Sequence, residues 1–374
     1  MLEKIIEYSV RNRFIIILAV VFLMGWGIYS LSSIPVDAIP DLSDVQVIIY
    51  TKYDGQSPKI VEDQVTYPLT TSLVSVPGSK VVRGYSFFGY SLVYVIFEDG
   101  TDIYWARSRV LEYLNYAQKR LPPEVIPTLG PDATGIGWVY EYTLSSPKRS
   151  LADLRSYQDW YLKYQLSTVA GVSEVASVGG FVKQYQVTVD PAKLLAYNIP
   201  LNMIDMALKK SNNDAGGEVI EMGESEFMIR GLGYIRSLQD VENIPVMVDK
   251  NTNTPVYIKD IADVAYGPEM RRGIAESNGT GESVGGIIVM RYGENALTVI
   301  NGVKKKLAEL KQGLPADVTI TPVYDRSGLI ERAIDTLKDK LIEEIIIVAS
   351  AGSPCFNSAS FFLTPLITVS AFSP

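Results

Sequence analysis

Two stretches without charge, one near each end of the chain, limit what this sequence can fold into more than any short motif does. From Phe14 to Val36 no residue is charged, and the run FIIILAVVFLMGWGIYSL is long enough for a bilayer core that needs about 20 apolar residues. This stretch predicts a transmembrane helix. Lys4, Arg11 and Arg13 precede it while Asp37, Asp41 and Asp44 follow it, so the positive-inside tendency places the N-terminus in the cytoplasm and the body outside. A second uncharged run begins at Ile345, after the helical pattern LIERAIDTLKDKLIEE. A cleaved leader is the alternative for the first stretch. Its apolar core would span only about 7 to 15 residues, and Ser30 and Ser32 imitate its cleavage site weakly.

Charge and composition remove several classes of function. A net charge of -8, an isoelectric point near 4.9 and the lack of a polybasic block argue against nucleic acid, which wants a basic face. The single cysteine, Cys355, cannot form an intramolecular disulfide. There is no histidine, so the match of GESVG (281–285) to a nucleophile elbow leaves Ser283 without a base, and histidine-containing zinc sites are excluded. No carboxylate pair stands out among the 42 acidic residues. The expectation is a chain that is not an enzyme and holds no resident cofactor. Its 374 residues allow two or three domains at about 100 to 200 residues each.

Periodicity orders the body. Val45–Tyr53 reads as a strand, Ser57 and Pro58 as a capped helix start running to about Ser75, and Lys80–Phe88 and Ser91–Phe97 as two more strands. Ile103, Ala106, Val110, Leu114 and Ala117 recur at helical spacing, and a short strand near Val125 completes β-α-β-β-α-β. The order starts again at Trp138, with Ser150 and Asp153 as a capping box before a helix over 151–167. Shifting the first set by 93 residues aligns Val61, Leu69, Leu73, Val76, Gly78 and Val82 with Leu154, Leu162, Leu166, Val169, Gly171 and Val175. This is an internal duplication of a split β-α-β, ferredoxin-like unit. The second copy resumes only at Val284, so residues 181–270 read as an inserted domain with a candidate hairpin, EVIEMG and EFMIRG, flanking Glu224. The expected fold class is α+β with a transmembrane helix. Its parts are a cytoplasmic stub and first membrane helix (1–36), a first ferredoxin-like unit (43–132), a second (133–180 with 271–328), the insertion (181–270), the start of a second membrane helix (329–349) and a tail (350–374).

PVDAIPDLSDVQV (35–47), GQSPKIVEDQVTYPL (55–69), VYVIFEDGTDIYWARSRVLEYLN (93–115), LGPDATGIGWVYEY (129–142) and GPEMRRGIAE (267–276) resemble the heavy-metal efflux branch of the resistance-nodulation-division (RND) transporters. The similarity is to the copper/silver (Cus-type) exporters rather than the cobalt/zinc/cadmium type, and covers residues 1 to about 348. It implies pore subdomains for the two ferredoxin-like units, a docking subdomain for the insertion, and a homotrimer in the bacterial inner membrane. Its partners would be a periplasmic adaptor and an outer-membrane channel, and its driving force protons. The resemblance also implies an intersubunit role for the hairpin within 213–233. Family members continue further, whereas ASAGSPCFNSASFFLTPLITVSAFSP does not look like the family's continuation. A frameshift, a truncated gene or an artefact of cloning is the expected cause, and a chain that does not transport alone the expected result.

The transported ion implied is Cu(I) or Ag(I), which thioether ligands select. Met270, in GPEMRRG, matches a position that resembles a relay methionine of the copper/silver exporters. Arg271 and Arg272 beside it would repel a cation. Met203, Met206, Met222, Met228, Met247 and Met290 are expected as flexible core fillers. Asp37, Asp41 and Asp44 are expected as turn formers and solvated charges. No acid, base or histidine lies between Phe14 and Val36 or from Ile345 onward to carry a proton. Two other classes compete with the exporter reading: a membrane-anchored interaction module that does not transport, and a secreted binding protein if the leader is cleaved.

Overall fold

The β-branched and aromatic run after Asp44 forms strand β1 (Gln46–Lys52), whose side chains alternate between buried and half-buried. The computed structural model describes residues 8, 11–33, 37–248, 253–271 and 273–351. Expectations about Lys4, Arg272, Cys355 and the tail after residue 351 lie outside the described residues.

Strands β2 (Ser79–Phe87), β3 (Tyr90–Phe97) and β4 (Pro127–Leu129) join β1 in the order β2-β3-β1-β4. β4 starts beyond the expected position because the Val125 amide closes a turn onto the Pro122 carbonyl at 2.9 Å. The helix over 58–73 starts where the Ser57 hydroxyl accepts the Ile60 amide with Pro58 in the first turn, and it contains a π-helical turn at Glu62–Thr66. Asp102 caps the helix Ile103–Ala117 by accepting the Trp105 amide at 2.7 Å. The five residues at helical spacing on that helix are all buried. Ala106, Val110, Leu114 and Ala117 share one core with Val47, Ile49, Val61, Leu69, Leu73, Val93 and Phe97. Each large apolar side chain buried there contributes roughly 1.5–3 kcal/mol.

The second set repeats this order. Strands β5 (Trp138–Ser145) and β6 (Val172–Gly179), with β13 (Val284–Met290) and β14 (Thr319–Asp325), form a sheet ordered β14-β5-β13-β6. Counted within each set, both orders are 2-3-1-4 or its reverse. The capping box at Ser150 and Asp153 is present, and the helix over 151–166 again contains a π-helical turn, at Gln158–Leu162. Gly78 and Gly171, matched by the 93-residue shift, both sit in the left-handed region (φ +75° and +81°), where a side chain would be strained.

The described residues fall into two compact units, each with its own interior. One runs up to Leu144 and takes Trp160–Ser177 and everything from Gly285. The other takes Ser145–Asp159 and Val178–Val284. In the second unit β7 (Lys183–Val189) pairs antiparallel with β12 (Ala262–Pro268), while β10 (Pro245–Val248) pairs with β11 (Pro255–Tyr257). Ile199, Ile204, Val241, Ile244, Val256, Ile258 and Ile261 form its core, with Met203 and Met247 packed against them. Strands β8 (Ala215–Met222) and β9 (Ser225–Gly231) form the expected hairpin, turning at Gly223 (φ +68°).

Two long helices lie near the ends, Arg13–Ser33 and Ser327–Ala351. Among the described residues no helix is long and apolar enough to cross a membrane. The side chains at 20, 24, 28 and 30–33 of Arg13–Ser33 lie outside the described residues.

Candidate functional site

Met270 follows β12, and the structure leaves it 60% exposed. Arg271 beside it is not a free cation: it forms an ion pair with Glu282 and lies 5.9 Å from the Phe181 ring centre. Its repulsion of an approaching cation is therefore reduced by a partner carboxylate. Among the described residues no three His, Cys, Asp or Glu side chains gather as a metal site. The core-filler expectation holds for Met203 and Met247 but not for Met206, Met222 and Met228, which are exposed. The last two lie on the hairpin, where no second layer covers the strands.

Every residue of β8 and β9 is exposed. Val219 faces Met228 and Ile220 faces Phe227, so both sides of the ribbon carry apolar side chains, and Glu221 opposite Glu226 adds like charge. A lone two-stranded hairpin is marginal in water. Its root is fixed instead. Asp214 accepts the Gly233 amide at 2.8 Å and the Tyr234 amide at 3.2 Å, and pairs with Arg230. The Gly233 amide and the Arg230 side chain hold the Asp214 carboxyl below its ordinary range. The result is an apolar-faced arm with a hydrogen-bonded base.

Three arginines grip the connection between the two sheets. Arg107 donates to the carbonyls of Gly130 and Pro131 at 2.8 and 3.2 Å. Asp132 pairs with Arg291 at 2.9 Å and accepts from Tyr104 and from the Ser173 hydroxyl. Burial opposes the charge on Asp132, but Ser173 and Arg291 overcome it, and the carboxyl stays below its ordinary range. Arg326, 3% exposed, donates to Asp37 at 2.9 Å and to the carbonyls of Ile136 and Trp138 at 2.6 and 2.8 Å. Asp37 is thus the partner of a buried guanidinium rather than a solvated charge. It also forms the expected turn, accepting the Ala38 amide at 2.7 Å.

This arrangement of two like sheets, a second unit between β6 and β13, and an exposed arm can be set against known proteins. A family model described as the AcrB/AcrD/AcrF family matches residues 5–351. The chain belongs to that family. It is 58% identical over 351 residues to the cation efflux system protein CusA of Escherichia coli, covering 93% of this chain and 33% of that protein. It is 56% identical over the same length to the putative cation efflux system protein SilA of Salmonella typhimurium. To the cobalt-zinc-cadmium resistance protein CzcA of Cupriavidus metallidurans the identity is 37% over 357 residues. A crystal structure of a heavy metal efflux pump matches with a TM-score of 0.80 at 36% identity, over 90% of this chain and 35% of that one. The chain spans about a third of the length of the curated relatives it matches. Within the RND transporters it has the character of the heavy-metal branch, Cus type, N-terminal third.

The family motifs quoted from the sequence contain two of the structure's key groups, Asp37 and Asp132, without revealing what they do. A carboxylate in PVDAIP or LGPDATG carries no local sign of an arginine 289 or 159 positions away. Arg326 gives no sign either, since a lone arginine after a strand reads as solvated.

Proposed function

We propose that this chain forms the N-terminal part of a proton-driven exporter of Cu(I) or Ag(I), with its body in the periplasm. The observation that carries the reading is the gap in identity, 58% to CusA against 37% to the cobalt-zinc-cadmium protein. On this reading the two sheets with their helices are ferredoxin-like pore subdomains, and the strand order within each supports it. The second unit contains the docking subdomain, and its hairpin is the arm reaching a neighbouring copy in a homotrimer. A periplasmic adaptor and an outer-membrane channel complete the assembly. The part played is transport, not catalysis.

The helix Arg13–Ser33 is the first membrane crossing. Its 21 residues span about 31 Å, close to a hydrocarbon core, and Phe14, Leu18, Phe22 and Trp26 along it are all exposed apolar groups that lipid would cover. Met270 supplies a thioether to the passing ion, a role its exposure supports and the pairing of Arg271 with Glu282 makes easier.

The test is a chimera in which residues 1–351 replace the matching third of Escherichia coli CusA, in a strain lacking related pumps. Restored tolerance to copper and silver, weakened by Met270→Leu and unaffected by Met203→Leu, is expected. Tolerance to cobalt, zinc or cadmium instead, or to no metal at matched expression, would overturn the metal assignment.

A further inference from the structure

The strand β14 ends at Asp325 and the helix Ser327–Ala351 begins two positions on, leaving one residue, Arg326, as the whole connection. No loop absorbs motion there. Both neighbours of Arg326 are tied to the helix Ala296–Leu310 by Lys304, whose amine lies 2.5 Å from Asp325 and 2.8 Å from the Ser327 hydroxyl. The Ser327 amide and hydroxyl also donate to Asp325, at 3.0 and 2.7 Å, so the head of the long helix is capped by the strand that leads into it.

Arg326 itself reaches three other places. Its planar fork donates to Asp37, which follows the first long helix, and to the carbonyls of Ile136 and Trp138, at the end of the connection between the sheets. Its backbone amide donates to Val139 in β5 at 3.2 Å. A guanidinium buried to this extent keeps its charge at low cost only while its donors are matched, and fixed-fork geometry makes the match directional. A shift of the helix head therefore carries Asp37 and residues 136–138 with it, or breaks several charge-assisted hydrogen bonds at once.

We infer that Arg326 is a positioning residue that joins the exit of the first long helix, the connection between the two sheets and the head of the last helix into one mechanical joint. Movement of either helix is passed through it to the other and to β5. In a transporter this would couple the two helices to the sheet beside them. The joint itself depends on no transported ion, so it stands or falls separately from the export reading.

The test uses the full chain in detergent, with Cys355→Ser to remove the sole native thiol and spin labels at Leu42→Cys and Leu337→Cys, which are 89% and 57% exposed. With Arg326 present a single narrow distance population is expected. Arg326→Gln should broaden or split it, and Arg326→Lys, which keeps the charge without the fork, should broaden it part-way. If Arg326→Gln does not fold, Asp37→Asn removes one arm of the joint and is read the same way. A narrow, unchanged distribution in a folded variant, even one with a lowered melting temperature, would overturn the inference, since a purely stabilising arginine moves only the melting temperature. A broad distribution with Arg326 present would overturn it too.

Discussion

The first sheet passes from β2 to β3 through two residues, Phe88 and Gly89, whereas the second leaves β6 at Gly179 and returns in β13 at Val284 after residues 180–283. The strands on either side remain neighbours in both sheets. Gly179 and Gly180 have positive φ, and a Cβ at Gly179 would overlap the Ser283 carbonyl, so the two ends of the long excursion meet as the two ends of the short turn do. What specifies each frame is the helix-to-sheet interior, not the length of this link. A surface connection can lengthen greatly at small entropic cost because closure grows only with the logarithm of loop length.

The copies also differ at their π-helical turns. In the first, Thr66 donates to Ser91 and accepts from Ser86, both at 2.8 Å, and Gly84 lets the helix approach the strand so closely that a Cβ there would lie 2.5 Å from a Thr66 methyl. In the second, Arg155 bonds Asp159 and the Gly179 carbonyl, both at 2.7 Å. One turn is held by hydroxyls in a dry seam and the other by a charge pair.

The equivalence of the frames is broken most easily by unequal core losses. Leu69→Ala and Leu162→Ala, at matched and fully buried positions, should each cost about 2–5 kcal/mol in chemical denaturation. A negligible cost at one of them would break the match. The glycine pair should separate the copies. Gly78→Ala faces mainly the left-handed backbone cost of about 1–2 kcal/mol, since its nearest side-chain atom, on Trp105, is 3.6 Å away. At Gly171 the Val299 methyl lies 2.5 Å from the new carbon, raising the loss to about 2–4 kcal/mol.

Smaller effects sharpen the contrast between the seams. Thr66→Val should cost about 1–3 kcal/mol by leaving Ser86 and Ser91 without their shared partner. Thr51→Val nearby should be neutral or stabilising by about 1 kcal/mol, because the Thr51 hydroxyl is buried with no hydrogen-bond partner. Acid should act on the connection between the copies. The Asp132 carboxyl is held below its ordinary range, so its contribution is fully present above the unfolded value near 3.9 and is lost as pH falls through the lower, folded one. Asp132→Asn should therefore flatten the acid side of the stability profile and leave its slope near neutral pH unchanged.

Sequence periodicity reached most of this frame because burial repeats along each element: the apolar stripe of Ile103–Ala117, the capping box at Ser150 and the 93-residue shift all follow from local spacing. It did not reach the π-helical turns, where local pattern continues unbroken and only the packing of Thr66 or Arg155 shows the extra residue. Nor did it reach the arginine contacts of Asp37 and Asp132, which join residues far apart in the chain. Among the methionines, side-chain type alone could not separate Met203 in the core from Met228 on the arm, since the difference lies in whether a second layer covers the strand. Met270 was named by resemblance, and the structure adds its exposure and the pairing of the charge beside it.

The most direct test of the claim that one frame is used twice is to remove the excursion, joining Gly180 to Ser283 so that β6 and β13 meet across a two-residue link, and to follow amide hydrogen exchange at the buried positions Val175 and Ile288. The account predicts that both amides stay protected, to a degree similar to Val82 and Val93 in the first sheet. Loss of protection at Val175 and Ile288 while the first sheet stays protected would contradict it, showing that the second frame needs the inserted residues to form.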